Sequence, residues 1–233
     1  TGSIDGGSAG ANSDTLTGAD NYTVSGTDAG TSTQVTGGFS DIENLTGTAS
    51  GNSFVFSAGS ALNGTATGGA GADSFLLAGN ASVTSVQGGG GADVLDLGGF
   101  TLTGSFNGGV GGVDQDVVTG ATAYTVNGTD AGATPQISGG FSEVENLTGT
   151  AGSDSFNFTS ALSSSNIDTI LDFNTAADTI RIDNVVFKAF SKTGALASSA
   201  FVTGTAAADA DDRIIFDRST GSLFYDADGT GFT

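Results

Sequence analysis

The chain has 233 residues, with 25 acidic side chains against 5 basic ones, 40 glycines against 1 proline, and no cysteine, methionine, tryptophan or histidine. A net charge of −20 disfavours phosphate recognition, which needs clustered Lys and Arg, and no apolar run approaches the ~20 residues of a membrane span; neither a nucleic-acid partner nor membrane insertion is expected. Without His or Cys there is no Ser–His–Asp triad, no thiol nucleophile, no HExxH or thiolate zinc site and no disulfide, so the chain is not expected to be an enzyme.

Thr, Ser, Val, Ile and Phe set between glycines favour many short strands joined by tight turns. Residues 3–56 align without a gap to residues 105–158, an offset of 102, with Tyr22 opposite Tyr124, Phe39 opposite Phe141 and Asn44 opposite Asn146. Duplication at this level implies a modular array. Because the opening TGSIDGG falls inside the repeat, and no signal peptide precedes it, the true N-terminus is expected upstream. Residues 26–45, recurring as 128–147, depart from the shorter period described next and read as an inserted loop or a wider coil.

From residue 44 a second period emerges, a short strand, a Gly-rich turn, a polar residue, then another short strand. The polar residues are Asn52, Asp73, Asp93 and Asp116, spaced 21, 20 and 23 apart. Two residues beyond them come Phe54, Phe75, Leu95 and Val118; ahead of the turns stand Leu45, Ala66, Val86 and Phe106. Equivalent positions repeating once per coil stack into ladders with apolar rungs facing inward. The fold class is therefore expected to be all-β, a parallel β-solenoid or β-roll of about 20-residue coils, with an antiparallel meander of the same strands as the alternative. Residues 1–160 form the Gly-rich acidic repeat region, containing the duplication at 3–58 and 105–160. Residues 161–233 form a β-rich C-terminal cap that includes a hairpin.

GGAGADSFL (68–76) and GGGGADVLD (88–96) fit the nonapeptide G-G-x-G-x-D-x-apolar-x and so resemble RTX-type (hemolysin-type) calcium-binding repeats. The resemblance implies Ca²⁺ held by the aspartate carboxylate and main-chain carbonyls of the turns. It assigns Asp73 and Asp93 as ligands, with Gly69, Gly71, Gly89 and Gly91, after Gly68 and Gly88, shaping the turns. Hard oxygen ligands suit Ca²⁺, and turns free of Cβ atoms can aim carbonyls inward. GTAGSDSFN (149–157) is a degenerate copy that keeps Asp154; GTASGNSFV (47–55) carries Asn52 in place of the acid; GGVGGVDQDVV (108–118) inserts two residues before Asp116. Against the metal stands an aspartate that merely caps its own turn.

Further along, NIDTILDFNTAADTIRIDNVVF (166–187) resembles the segment that closes the β-roll in many type I-secreted proteins, which adds Asp178 as a candidate ligand. RIIFDRSTGSLFYD reads as a hairpin around DRSTG. Asp209, Asp211, Asp212, Asp226 and Asp228 flank its two ends, either converging on one further cation, for which Asp226 and Asp228 are the candidates, or standing as solvated turn residues. The family usually continues to a C-terminal secretion signal, part of which is expected to be missing after DGTGFT.

The expected function is a secreted, extracellular or cell-surface structural repeat protein, a subunit of an S-layer, matrix or filament that Ca²⁺ folds and assembles through self-association or surface attachment. The alternative is the non-catalytic calcium-binding module of a type I-secreted enzyme or toxin. A third role, binding ice or carbohydrate, is suggested by Thr15/Thr17, Thr46/Thr48, Thr65/Thr67 and Thr101/Thr103.

Overall fold

The computed structural model describes residues 2–7, 13–109, 115–164 and 166–230. The first copy of the duplication forms β1 (Ile4–Asp5), β2 (Thr15–Thr17), β3 (Asn21–Val24), β4 (Gly30–Ser32), β5 (Phe39–Ser40), β6 (Asn44–Thr46) and β7 (Ser53–Phe56). Between the copies lie β8 (Ala61–Gly69), β9 (Ser74–Leu77), β10 (Ala81–Gly89) and β11 (Val94–Asp96). The second copy forms β12 (Leu102–Gly109), β13 (Val117–Thr119), β14 (Ala123–Gly128), β15 (Ala131–Thr134), β16 (Ile137–Ser142), β17 (Asn146–Thr148) and β18 (Ser155–Phe158). After it come β19 (Thr169–Ile170), β20 (Thr179–Ile182), a short 3₁₀ turn at Ser198–Ala200, β21 (Phe201–Thr203), β22 (Ile214–Asp217) and β23 (Ser222–Tyr225). The fold is all-β, and among the described residues no helix is long and apolar enough to cross a membrane.

Two compact units divide the chain, Thr1–Arg181 and Ile182–Thr233. In the first, the chain crosses repeatedly between two ten-stranded mixed sheets, ordered β1-β5-β4-β3-β7-β9-β11-β13-β17-β19 and β2-β6-β8-β10-β12-β16-β15-β14-β18-β20, with β3–β5 staying in one sheet and β14–β16 in the other. This unit runs past residue 160 because β19 pairs in parallel with β17, and β20 lies beside β18.

Apolar positions align row by row. Tyr22, Phe54, Phe75, Leu95, Val118 and Leu147 are in register along one sheet; Leu45, Ala66, Val86, Phe106 and Phe141 are in register along the other. All are buried and belong to one core. Rings stack along the first row, Tyr22 on Phe54 at 5.0 Å and Phe54 on Phe75 at 4.8 Å, while Phe106 meets Phe75 edge-on at 6.2 Å from the facing sheet. Offset stacks of this kind add about 0.5–1.5 kcal/mol each beyond their buried area.

Sharp corners let the chain change sheets. Gly89 (φ 113°) and Gly109 (φ 127°) end β10 and β12, and at each an added Cβ would overlap the carbonyl oxygen of the glycine one coil before, Gly69 or Gly89. Only glycine combines that φ with so close an approach of two main chains.

The segment read as an inserted loop or wider coil is more regular than that: it folds into extra antiparallel strands. β4 pairs with β3 and β5, and β15 with β14 and β16. Its bends use acids where glycine is the usual choice: Asp28 (φ 50°), Asp41 (φ 53°), Asp130 (φ 47°) and Glu143 (φ 53°) occupy the left-handed region at equivalent places in both copies. The carbonyl oxygens of Asp28 and Asp130 then accept the N–H of Ile42 and Val144.

Equivalent strands of the two copies lie in opposite sheets. The series β1-β5-β4-β3-β7 of one sheet corresponds to β12-β16-β15-β14-β18 of the other, and β2-β6 corresponds to β13-β17. The 102-residue offset contains an odd number of crossings between the sheets, so its inserted strands change sides.

In the second unit β21 runs parallel to β22, and β22 pairs antiparallel with β23 as the hairpin around DRSTG, with Asp217 capping the turn through the N–H and hydroxyl of Ser219. Phe187 packs edge-on against Tyr225 at 5.1 Å, and the Tyr225 hydroxyl accepts the N–H of Ala189.

Candidate functional site

Strands β8 and β9, and β10 and β11, are joined by the turns that carry Asp73 and Asp93; β13 begins just after Asp116, and residues 110–114 of its turn lie outside the described residues. The three carboxylates point inward and are 2%, 0% and 1% exposed. Each is bound to the coil before it: Asp73 Oδ1 accepts the Asn52 N–H at 2.6 Å, Asp93 Oδ1 the Asp73 N–H at 2.7 Å, and Asp116 Oδ1 the Asp93 N–H at 2.7 Å. Glu145 Oε2 continues the column from the Asp116 N–H at 2.9 Å, as Glu43 Oε2 does from the Asp14 N–H at 2.7 Å. Sequence reading missed these two glutamates. Their signal was their recurrence at the 102-residue offset, just ahead of Asn44 and Asn146.

The other oxygen of each carboxylate meets a different environment. Asp73 Oδ2 is buried with no hydrogen-bond partner among the described residues. It lies against the Cα of Gly68, where an added Cβ would overlap both Asp73 Oδ2 and the Gly88 carbonyl oxygen. Gly88 makes the same cradle for Asp93 Oδ2 and the Gly108 carbonyl, and Gly108 for Asp116 Oδ2 and the Glu143 carbonyl. Each cradle thus gathers a carboxylate oxygen and a main-chain carbonyl of the following coil, both of them acceptors. Burial pushes the Asp73 carboxyl above the usual carboxylate range, against the hydrogen bonds from the Asn52 side chain and main chain.

Asn52 shows what such a cradle lacks. Its Nδ2 reaches toward the Gly68 carbonyl at 3.4 Å and donates to Asp73 Oδ1 at 2.8 Å, so that a neutral amide supplies the positive end that an aspartate cannot. An oxygen-only set of acceptors suits a hard cation such as Ca²⁺. Among the described residues no three acidic side chains converge on one point, so a cation here would take its ligands chiefly from main-chain carbonyls. Gly69, Gly71, Gly89 and Gly91 keep those carbonyls close, since a Cβ on any of them would strike the main chain of the preceding coil.

Asp154 differs. The Thr150 N–H donates to its Oδ2 at 2.9 Å and the Thr150 hydroxyl to its Oδ1 at 2.9 Å. Asp178 Oδ1 accepts the Asp154 N–H at 2.9 Å, and its Oδ2 caps its own turn through the Asn174 N–H at 2.7 Å. In the second unit Asp226 Oδ1 accepts the N–H groups of Asp228 and Gly229, and Asp228 caps Thr230. The side chain of Arg213 donates to the carbonyls of Ala210 and Asp212 at 3.0 and 2.7 Å, and an added Cβ at Gly229 would touch both it and the Ala210 carbonyl. A guanidinium thus stands beside the place where the flanking aspartates were read as converging on a cation.

A further acidic group escaped sequence reading. Among the described residues Asp168 Oδ1 is buried without a hydrogen-bond partner, and its carboxyl is pushed up to about 7, chiefly by burial and then by Asp130 and Glu145. Comparison of the chain with protein-family models, curated proteins and solved structures finds no match.

Proposed function

We propose that the chain is a secreted calcium-binding structural repeat protein of RTX type, its coils wound as a parallel β-solenoid and linked by Ca²⁺ at the turns of Asp73 and Asp93. The observation that carries this reading is the pairing of Asp73 Oδ2, buried and without a donor, with the Gly88 carbonyl across the cradle of Gly68. Asp73, Asp93 and the carbonyls of the Gly–Gly turns hold the ion, which supplies the positive charge that 18 acidic and no basic residues before position 181 leave wanting. Extracellular modules bind Ca²⁺ at roughly 10⁻⁴–10⁻³ M, so the ion would drive folding outside the cell through binding linkage. The modular duplication supports a self-associating or surface-attached subunit. A non-catalytic tail of a type I-secreted enzyme or toxin is the second reading, favoured by the RTX-like segment at 166–187.

Far-UV circular dichroism of the chelator-treated chain, titrated with Ca²⁺ and separately with Mg²⁺, tests the proposal. Strand signal should rise near millimolar Ca²⁺ and not with Mg²⁺, and light scattering on the same samples should grow if copies assemble. A chain fully folded in chelator and unmoved by Ca²⁺ sinks the calcium reading.

A further inference from the structure

We infer that Thr150 does for Asp154 what a bound cation does for Asp73 and Asp93, and that this threonine withholds Asp154 from the calcium sites; the inference rests on the calcium reading above. The turns divide into two kinds. In the first, the residue after the leading glycine is another glycine, Gly69 or Gly89, with φ of 145° or 113°. It has no hydroxyl, a Cβ there would overlap the carbonyl of Thr48 or Gly69, and the carboxylate ahead of it shares its cradle with a carbonyl.

In the second kind that residue is Thr48 or Thr150. The Thr48 N–H and hydroxyl reach Asn52 Oδ1 at 2.9 and 3.1 Å; the Thr150 N–H and hydroxyl reach the two oxygens of Asp154, both at 2.9 Å. Each threonine hydroxyl also accepts the N–H two residues on, from Ser50 or Gly152, both at 3.2 Å. With a lone pair engaged in that bond, the hydroxyl proton is left for the side chain it faces. The threonine thus brings two donors to a buried carboxylate from inside the same turn, and neither oxygen of Asp154 needs a metal.

Exchange of one residue interconverts the two kinds. Thr150→Gly turns GTAGSD into GGAGSD, the pattern G-G-x-G-x-D of residues 68–73 and 88–93. Titration calorimetry of the full chain with Ca²⁺ should find one more ion per chain in T150G than in the parent. Its melting temperature should fall in chelator and recover in millimolar Ca²⁺. Thr150→Val, which removes the two bonds of the hydroxyl, the one given to Asp154 and the one taken from the Gly152 N–H, and adds no backbone freedom, should also melt lower in chelator than the parent and recover with Ca²⁺, and it carries the test if T150G does not fold without metal. Unchanged stoichiometry in T150G, or a loss in both variants that Ca²⁺ does not reverse, overturns the inference while leaving calcium at Asp73 and Asp93 intact. A parent chain that binds no Ca²⁺ overturns the calcium reading itself, and this inference with it.

Discussion

At the scale of single residues, Asn52 and Asp73 occupy equivalent turns one coil apart and differ by an amide against a carboxylate. Asp73→Asn places a donor beside the Gly88 carbonyl, as Asn52 does beside that of Gly68. In chelator this variant should melt above the parent, and it should lose part of the rise that Ca²⁺ gives the parent; melts with and without Ca²⁺ check both halves. Protonation acts in the same direction as the amide. A carboxyl whose folded pKa is raised stabilises the fold below its ordinary pKa and loses that contribution as pH rises through the folded value. For Asp168 the window runs from about 4 to about 7, and Asp73 adds in the same sense. The metal-free chain should therefore melt at a higher temperature at pH 5 than at pH 8, with Asp168→Asn narrowing the gap; equal melts at the two pH values would contradict it. The aspartates themselves were legible from the spacing of the turns. That Asp73 Oδ2 lacks a hydrogen-bond partner among the described residues, whereas both oxygens of Asp154 meet Thr150, was not, because it depends on whether glycine or threonine comes second in the turn.

At the scale of elements, the tyrosines of β3 and β14 show how a buried polar group is accommodated. The Tyr124 hydroxyl donates to the Thr148 carbonyl at 2.8 Å and accepts the Ala121 N–H at 3.3 Å, the arrangement that Tyr22 makes with Thr46 and Ala19. Burial pushes both hydroxyls above the usual tyrosine range, that of Tyr124 further. Tyr124→Phe keeps the stack on Phe156 but strands a buried N–H and a carbonyl, a loss of about 1–3 kcal/mol to be read by chemical denaturation. The inserted strands were less legible than the coils, because their bends rest on Asp28, Asp41, Asp130 and Glu143, residues that carry no glycine signal. Aspartate tolerates the left-handed region better than glutamate does. Glu143→Asn should accordingly raise stability by up to about 1 kcal/mol, whereas Asp41→Asn should be close to neutral; denaturant midpoints of the two variants provide the comparison.

At the scale of the whole first unit, the apolar rungs Phe54, Phe75, Leu95 and Val118, and Leu45, Ala66, Val86 and Phe106, are buried in register as their recurrence in sequence led one to expect. Register is legible because one inward residue per strand repeats at each turn, and a slip by one position would turn it outward. The sheet to which each copy of the duplication is assigned was not legible. It follows from the parity of the crossings, and nothing in a residue's own chemistry records parity. A third copy at the same offset would return the inserted strands to the first sheet, so the smallest translational period of such an array is two copies, not one. Any ligand that recognises the inserted strands would find its epitopes facing left and right in turn. One molecule built from tandem duplication could in this way bridge two neighbours with a single kind of surface.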